Sequence, residues 1–492
     1  MKDIKKAAER IKKAINNGEK ITVVGDYDVD GVVSSTIMSE FFSDIGIEMT
    51  LIIPNRFRDG YGINAKLLER IDADLIITVD NGISAVEAAK VCKERGIDLI
   101  ITDHHTVPDV IPDAYAIVNP KQEDCPFPFS EICGAQVAWY LVASLKETLG
   151  IEYNLGKYLD LLAIAIVADM MELKGMNRTM VRAGFKMMNQ EKRLIFSVIK
   201  RYFKKSAFKS DDISFLLAPI INSAGRIEDA TLAFEMLSAK SEEEALMHLE
   251  YIVGLNNRRK EIELELFNKA VLTHNEEAKI IVAWGEEWHE GVIGIVAARL
   301  TRRFKKPAIV FSLENGKAKG SARSIGSIHI LELIAAQKEL LIGYGGHQGA
   351  AGMAIAPENL EIFRANLEKA AESIPAEDFI EKSDVLGEID ASAINFDLLR
   401  ILENYEPYGQ KNPQPRFLLK NALVSADRLL GIDANHLKMT LLSDNASIEA
   451  IYFNYVTKAE QGEHVDVVCT VSKNEFRGNV TPQLMVQELI KN

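Results

Sequence analysis

Lys20–Gly31 reads KITVVGDYDVDG, a β-branched run that reaches a glycine and then turns into three carboxylates at alternate positions. The layout returns twice, as DLIITVD at Asp74–Asp80 and DLIITDHH at Asp98–His105. Three apolar strands therefore run into polar residues at their carboxyl ends. Between them, Gly31–Phe42 and Ala85–Lys93 carry apolar residues at helical spacing. This alternation predicts an α/β fold with a largely parallel sheet covered by helices, which binds ligands beyond the carboxyl ends of its strands.

Working outward, the apolar run LLAIAIVAD ends at Asp169, and the texture beyond it is mostly helical. Glu242–Ala270 predicts one long charged helix able to space two lobes. A second alternating block follows: strand KIIVAW (Lys279–Trp284), helix Gly294–Phe304, strands PAIVF and KAKGSARS, and a glycine-rich turn IGYGGHQGAAG at Ile342–Gly352. It predicts a smaller mixed-sheet domain. From about Pro413, five short β-rich pieces separated by Gly, Asn and Asp turns predict a small antiparallel barrel of OB type, although another compact β domain shares that texture.

With 492 residues, 47% hydrophobic and 26% charged, the chain is long enough for several cores and is not a disordered polymer. The net charge of -14 argues against unspecific wrapping of nucleic acid but permits a local basic groove. Four cysteines without a CxxC pair support neither a disulfide scaffold nor a thiolate zinc site, and fit a reducing cytoplasm. The amphipathic start lacks a cleavage site, and the apolar stretch Tyr158–Met171 is too short to span a bilayer, so neither export nor membrane insertion is expected.

Asp26, Asp28 and Asp30 crowd one strand-to-helix turn, where Gly31 permits close backbone approach and Ser34 and Ser35 lie one turn into the helix. Carboxylates this close repel, and a divalent cation offsets the repulsion; oxygen ligands of this kind suit magnesium or manganese. A solvated turn, or a helix N-cap from Asp30, is the plainer alternative. Asp80 and the pair His104 and His105 end strands built like the first, so their side chains converge if those strands are neighbours. Asp103 caps or orients its turn. Asp169, at the edge of a buried helix, needs a hydrogen-bond partner or a metal. Together Asp28, Asp30, Asp80, His104 and Asp169 would hold two cations with Asp80 bridging, an arrangement for hydrolysing a phosphoester. Single-iron dioxygen chemistry would need two histidines and one carboxylate, whereas here carboxylates outnumber histidines.

The second block offers anion-binding features: Arg323 in SARS, and Gly345, Gly346 and His347 in the glycine-rich segment, whose backbone N–H groups suit a phosphate unless the glycines only make tight turns. NSAGRIED places Asn222 and Arg226 before a helix. Trp288 either stacks on a base or fills the core. The basic runs KRYFKK (Lys200–Lys205) and RLTRRFKKP (Arg299–Pro307) are either backbone-binding surfaces or solvated helix faces.

These residues resemble the DHH phosphoesterase superfamily and, within it, the bacterial RecJ single-strand-specific exonucleases. GDYDVDG, TVDNG, TDHH and VADMMEL followed by NR look like the four catalytic-domain motifs in order; INSAGRI, WHEGVIGIVAARL, GSARS and GGHQGAAG resemble the later ones. The resemblance spans nearly the whole chain. It implies a DHH catalytic domain (1–238), a connecting helix (239–270), a DHHA1 domain (271–373), a linker with a helical segment (374–412) and an OB-like nucleic-acid-binding domain (413–492) around a central groove. Carried over, Asp28, Asp30, Asp80, His104 and Asp169 are metal ligands for two cations, Mn2+ or Mg2+. Asp26 supports them, His105 lies near the scissile phosphate, and Asp103 belongs to the same motif. Arg323, Gly345, Gly346, His347 and Arg226 contact substrate phosphate. Relatives typically carry a longer segment before the first motif and, in longer members, a further C-terminal domain.

The expected function is digestion of single-stranded DNA from its 5′ end, releasing 5′ mononucleotides in repair and recombination. Polarity and DNA preference rest on the resemblance alone. A helicase and a single-strand-binding protein are the expected partners of a monomeric cytoplasmic enzyme. A hydrolase of short oligonucleotides or cyclic dinucleotides would share the metal site, and a catalytically weak scaffold in a replication complex would share the nucleic-acid surface.

Overall fold

Continuous β-branched runs with no polar alternation can be stable only where both faces of a sheet are covered. In the computed structural model, which describes residues 1–273, 275, 277–314, 316–380, 384–431, 434–443, 446–476 and 478–492, the first five strands meet that condition. They are β1 (Ile21–Val24), β2 (Thr50–Ile52), β3 (Leu75–Val79), β4 (Asp98–Thr102) and β5 (Ala116–Val118). All are parallel, in the order β2-β1-β3-β4-β5. Residues of β1 and β3 are buried throughout. The register pairs Val24 with Thr78 and Val79 with Thr102, which brings the segments after β1, β3 and β4 to one end of the sheet. Helix Val29–Asp44 follows β1 and helix Val86–Glu94 follows β3.

The chain divides into two units, Met1–Met171 with Thr179–Lys382, and Glu172–Arg178 with Ser383–Asn492. Within the first, the long helix runs Glu242–Leu272 with Ser241 as its N-cap. Its Leu266, Phe267 and Ala270 pack under the second sheet, formed by β6 (Ile281–Glu286), β7 (Ala308–Glu314), β8 (Lys317–Arg323), β9 (Leu341–His347) and β10 (Ala350–Ile355). The order is β6-β7-β8-β10-β9, with β6 and β7 parallel and the remaining pairs antiparallel. Helix Ile293–Phe304 covers one face, while Ile330, Ile334, Phe363 and Leu367 pack against the other. The glycine-rich segment expected as a turn is instead a hairpin: β9 and β10 pair from His347–Ala350 outward, leaving only Gln348 and Gly349 at the bend.

In the second unit, a short strand β11 (Gly387–Glu388) pairs parallel with β12 (Phe417–Leu430). β13 (His436–Ser443), β14 (Ala446–Phe453), β15 (His464–Phe476) and β16 (Asn479–Lys491) follow. β12 pairs with both β13 and β15, and β16 pairs with both β14 and β15, which closes a five-stranded barrel. Three of the strands are 13 or 14 residues long rather than short. Register shifts at Val424/Ala426, Leu419/Ala422 and Val468/Cys469 bend them so that one strand can serve two neighbours. One contact in this barrel is parallel, β14 with β16, where antiparallel pairing was expected throughout. The stretch read as a linker supplies Ala391, Ile394, Leu399 and Leu402 to the core of the barrel. Among the described residues, no helix is long and apolar enough to cross a membrane.

Candidate metal centre

The turn after β1 is shaped by its own carboxylates. Asp28 caps helix Val29–Asp44, its Oδ1 accepting from the backbone N–H of Asp30 (3.0 Å) and Gly31 (3.1 Å), so the cap is Asp28 and not Asp30. Asp30 reaches the start of helix Gly134–Leu149, where its carboxylate accepts from Gly134 N–H (2.5 Å) and Ala135 N–H (2.9 Å). Gly31 is needed for close approach: a Cβ there would lie 2.5 Å from the Asp26 backbone oxygen.

Asp80 sits just beyond β3 with φ 63, a left-handed conformation that Asp tolerates better than most residues. Gly134 packs directly on it, and a Cβ at that position would come within 2.4 Å of Asp80 Oδ1. The neighbouring Asn81, fully buried, anchors the site's floor: its Nδ2 donates to the carbonyls of Val24, Gly25 and Val79, and its Oδ1 accepts from Ile63 N–H. After β4, Asp103 Oδ1 accepts from the His104 and His105 N–H groups and pairs with His105 Nδ1 at 2.7 Å, while Oδ2 accepts from Ile83 N–H. Asp103 thus orients the turn rather than joining the cluster.

The side chains converge. His104 Nε2 lies 3.2 Å from Asp80 Oδ1 and 3.6 Å from both Asp30 Oδ2 and Asp169 Oδ2. Potential ligand atoms fall into overlapping groups, Asp30 with His104 and Asp169, Asp26 with Asp28 and Asp80, and Asp80 with His104 and His105, each within 4.8 Å. Burial, followed by the neighbouring carboxylates, pushes Asp26 and Asp80 well above the usual carboxylate range. Burial and then Asp30 raise Asp28, and the same two causes take Asp169 to about 9. Burial lowers His104. Burial opposes charge on His105, but the bond to Asp103 overrides it and raises the imidazole to about 9, and His105 in turn outweighs burial to hold Asp103 low.

Buried acids that disfavour their own ionisation fit bound cations. Asp80 Oδ1, Asp169 Oδ2 and His104 Nδ1 are buried without a hydrogen-bond partner, and the donor set is oxygen-rich with one imidazole. The residues present therefore fit divalent cations of the magnesium or manganese type.

Beside this cluster, a pocket of about 400 Å3 is lined by Tyr27, Arg56, Arg226, Lys319, Ser321 and Arg323, with Glu290 as its one acid among the described residues. Arg56 stacks on Tyr27 at 4.0 Å, Arg226 donates to Gly291 O (3.2 Å), and Arg323 donates to Ser321 Oγ (3.1 Å) and Ala322 O (2.8 Å). Burial first, then Arg56, lowers Arg226 to about 10, and burial lowers Arg323. Arg226 and Arg323 were singled out in the sequence; Arg56 and Lys319 were not, although the loop PNRFRDGYG carries the arginine-plus-aromatic signal. Gly345, Gly346 and His347 lie on the exposed edge strand β9 and do not line this pocket. Asn222 and Arg226 both lie within helix Ala218–Ile227, ahead of helix Thr231–Ser238, and Asn222 is partly buried there.

Trp288 is a core residue, 8% exposed, in the cluster under β6. The basic runs are largely tied up within the protein: Lys200 pairs with Glu191, Arg201 with Glu242, Lys205 with Asp212, and Arg299 with Glu263 while stacking on Phe267.

Known proteins match this arrangement along the chain. The DHH family N-terminal domain matches residues 20–166, the DHHA1 domain residues 277–373 and the RecJ OB domain residues 386–488. A single-stranded-DNA-specific exonuclease RecJ of Bacillus subtilis is 35% identical over 99% of this chain, which spans 63% of that relative's length. The protein of the same name from Salmonella typhimurium is 31% identical, with 99% of this chain and 90% of the relative covered. The crystal structure of RecJ from Thermus thermophilus in complex with Mn2+ superposes with a TM-score of 0.87 at 29% identity, covering 100% of this chain and 72% of that one. The same protein in complex with Mg2+ gives 0.80 at 27% identity, covering 99% and 70%.

Proposed function

Because the chain belongs to the RecJ family, we propose that it is a metal-dependent exonuclease that hydrolyses single-stranded DNA from its 5′ end and releases 5′ mononucleotides in repair and recombination. One observation carries the reading: a cluster of buried carboxylates and one imidazole stands directly beside a pocket rich in arginine. Asp28, Asp30, Asp80, His104 and Asp169 hold the two cations, Mn2+ or Mg2+, with Asp80 shared. When bound, such cations lower the pKa of water and offset the charge that develops on phosphate oxygens.

The chain's own groups do the rest. Asp26 accepts from Tyr27 N–H and stiffens the turn that carries Asp28. Asp103 fixes the His105 imidazole through Nδ1, which leaves Nε2 for an oxygen of the scissile phosphate. Arg226 and Arg323, joined by Arg56, hold substrate phosphate by charge-assisted hydrogen bonds. An anion pocket one step from the cutting site suits a terminal phosphate, and this supports 5′ polarity. Gly345, Gly346 and His347 contact the strand farther along, where the exposed edge of β9 leaves backbone groups free.

The barrel matched by the RecJ OB domain supports single-strand binding. A helicase is the natural supplier of single strands and a single-strand-binding protein a natural escort; the chain acts as a monomer. Four free thiols, three of them buried, suit the reducing cytoplasm. The test is Mn2+-dependent digestion of one strand labelled separately at each end and sampled early. Release of the 5′ label as a mononucleotide while the 3′ label stays on shortening strands is the expected result. Early loss of the 3′ label overturns the polarity, and a preference for dinucleotides over long strands favours an oligonucleotide phosphodiesterase.

A further inference from the structure

We propose that the ion pair between Glu290 and Lys319 at the arginine pocket reads the charge of the strand end: Lys319 leaves Glu290 for a terminal phosphate monoester and stays with Glu290 when the end carries none. The inference deepens the function proposed above and rests on its placing the strand end in this pocket.

The pocket cations are not equivalent. Arg56, Arg226 and Arg323 are held by an aromatic ring, by backbone carbonyls and by a hydroxyl, none of which is charged. Their positive charge is therefore uncompensated by any of these partners. Lys319 alone among them has a carboxylate partner, Glu290 Oε2 at 2.6 Å from Nζ. The two partners also differ in freedom, since the Lys319 side chain is 62% exposed and that of Glu290 15%. The lysine is the mobile member, a compact ammonium on a flexible four-carbon stem, and an ion pair this exposed exchanges readily.

Position makes the exchange productive. On β8, Lys319, Ser321 and Arg323 alternate onto one face of the sheet, so the ammonium that leaves Glu290 stays beside the groups that line the pocket. A terminal monoester brings about two negative charges near neutral pH, against one for an internal diester. The second charge is what Lys319 answers. Glu290 competes with the strand end for the lysine, so a singly charged internal phosphate leaves the pair intact, and releasing the lysine to a doubly charged end costs part of the affinity that a free lysine would give.

The test measures equilibrium binding of the full chain to oligothymidylate by fluorescence anisotropy, in chelator so that nothing is cut, comparing 5′-phosphoryl with 5′-hydroxyl strands. The wild-type chain binds the phosphoryl strand more tightly. Glu290→Gln frees the lysine and raises that preference three- to tenfold; Lys319→Met lowers it by a similar factor. In the double variant the gain from Glu290→Gln disappears, because it acts through the lysine. A preference that Glu290→Gln leaves unchanged, or a gain that survives in the double variant, overturns the inference while the strand-end pocket stands. A wild-type chain with no preference for the phosphoryl strand overturns the pocket reading itself. Circular dichroism of each variant shows that the fold is retained.

Discussion

The two ends of the active region are built on opposite electrostatic plans. At the carboxyl end of the parallel sheet, Asp26, Asp30, Asp80 and His104 are nearly inaccessible, and the three carboxyl groups crowd like charges together. At the second sheet, Arg56, Arg226 and Arg323 also gather like charges but remain open to a pocket. Buried carboxylates either take up protons or take up cations, so the first region is unfinished without counterions. The arginines, partly desolvated by burial, line an open pocket and are completed by an anion. On the proposed function, the acid end governs turnover and cation-dependent stability, whereas the basic end governs how tightly a strand is held.

Removing Asp80, the proposed shared ligand, probes the difference most severely. Asp80→Ala should reduce turnover by about a thousandfold or more, corresponding to the loss of several kcal/mol of transition-state stabilisation, while circular dichroism shows a retained fold. Near-wild-type turnover in a folded variant would remove Asp80 from its bridging place. Gly134→Ala is the next break: its Cβ must displace Asp80, and a loss of about 10- to 100-fold in activity is expected, as for other disturbed metal-site supports. Adding Mn2+ should not restore it fully, since the fault is in geometry.

At the basic end, Arg323→Ala should raise KM about tenfold for 5′-phosphorylated strands, the value of roughly one charge-assisted hydrogen bond, with kcat nearly unchanged. An effect on kcat alone would place Arg323 with the chemistry and erase the contrast.

The smallest effect sharpens the comparison through pH. In the metal-free chain, burial first and Asp30 second raise Asp169 to about 9. A carboxyl raised on folding lends stability while protonated, fully so below its unfolded value near 4, and loses it as pH rises through the folded value. The metal-free Tm should accordingly fall by several degrees between about pH 5 and pH 9. Mn2+ should flatten that slope by stabilising the ionised carboxylates. A metal-free Tm that rises with pH over this range would contradict the electrostatic account.

Which parts were legible in the sequence follows from the same contrast. The acid end is written in short local runs, because each strand of a parallel sheet delivers the residues just after it to one edge. DLIITVD and DLIITDHH could be read one at a time and still place Asp80 and His104 together. Asp28 as the cap was not readable in the same way, since Asp30 fits a cap equally well until Gly134 is seen to hold it. The basic end is assembled from residues far apart in sequence, such as Arg56, Arg226 and Lys319, so only the members inside familiar motifs stood out. In the barrel, local texture announced strands, but neither the length of β12 nor its two partners could be inferred without the bulges that bend it. The burial of Trp288 likewise depends on the long helix packing beneath β6, a contact with no local signature.

The most direct test of the cation-dependent acid end is a calorimetric titration of the metal-free chain with Mn2+, repeated on Asp80→Ala. The account predicts two Mn2+ per wild-type chain, with both weakened together in the variant because they share one carboxylate. A single Mn2+ per wild-type chain, or two that bind the variant as tightly as before, would contradict it.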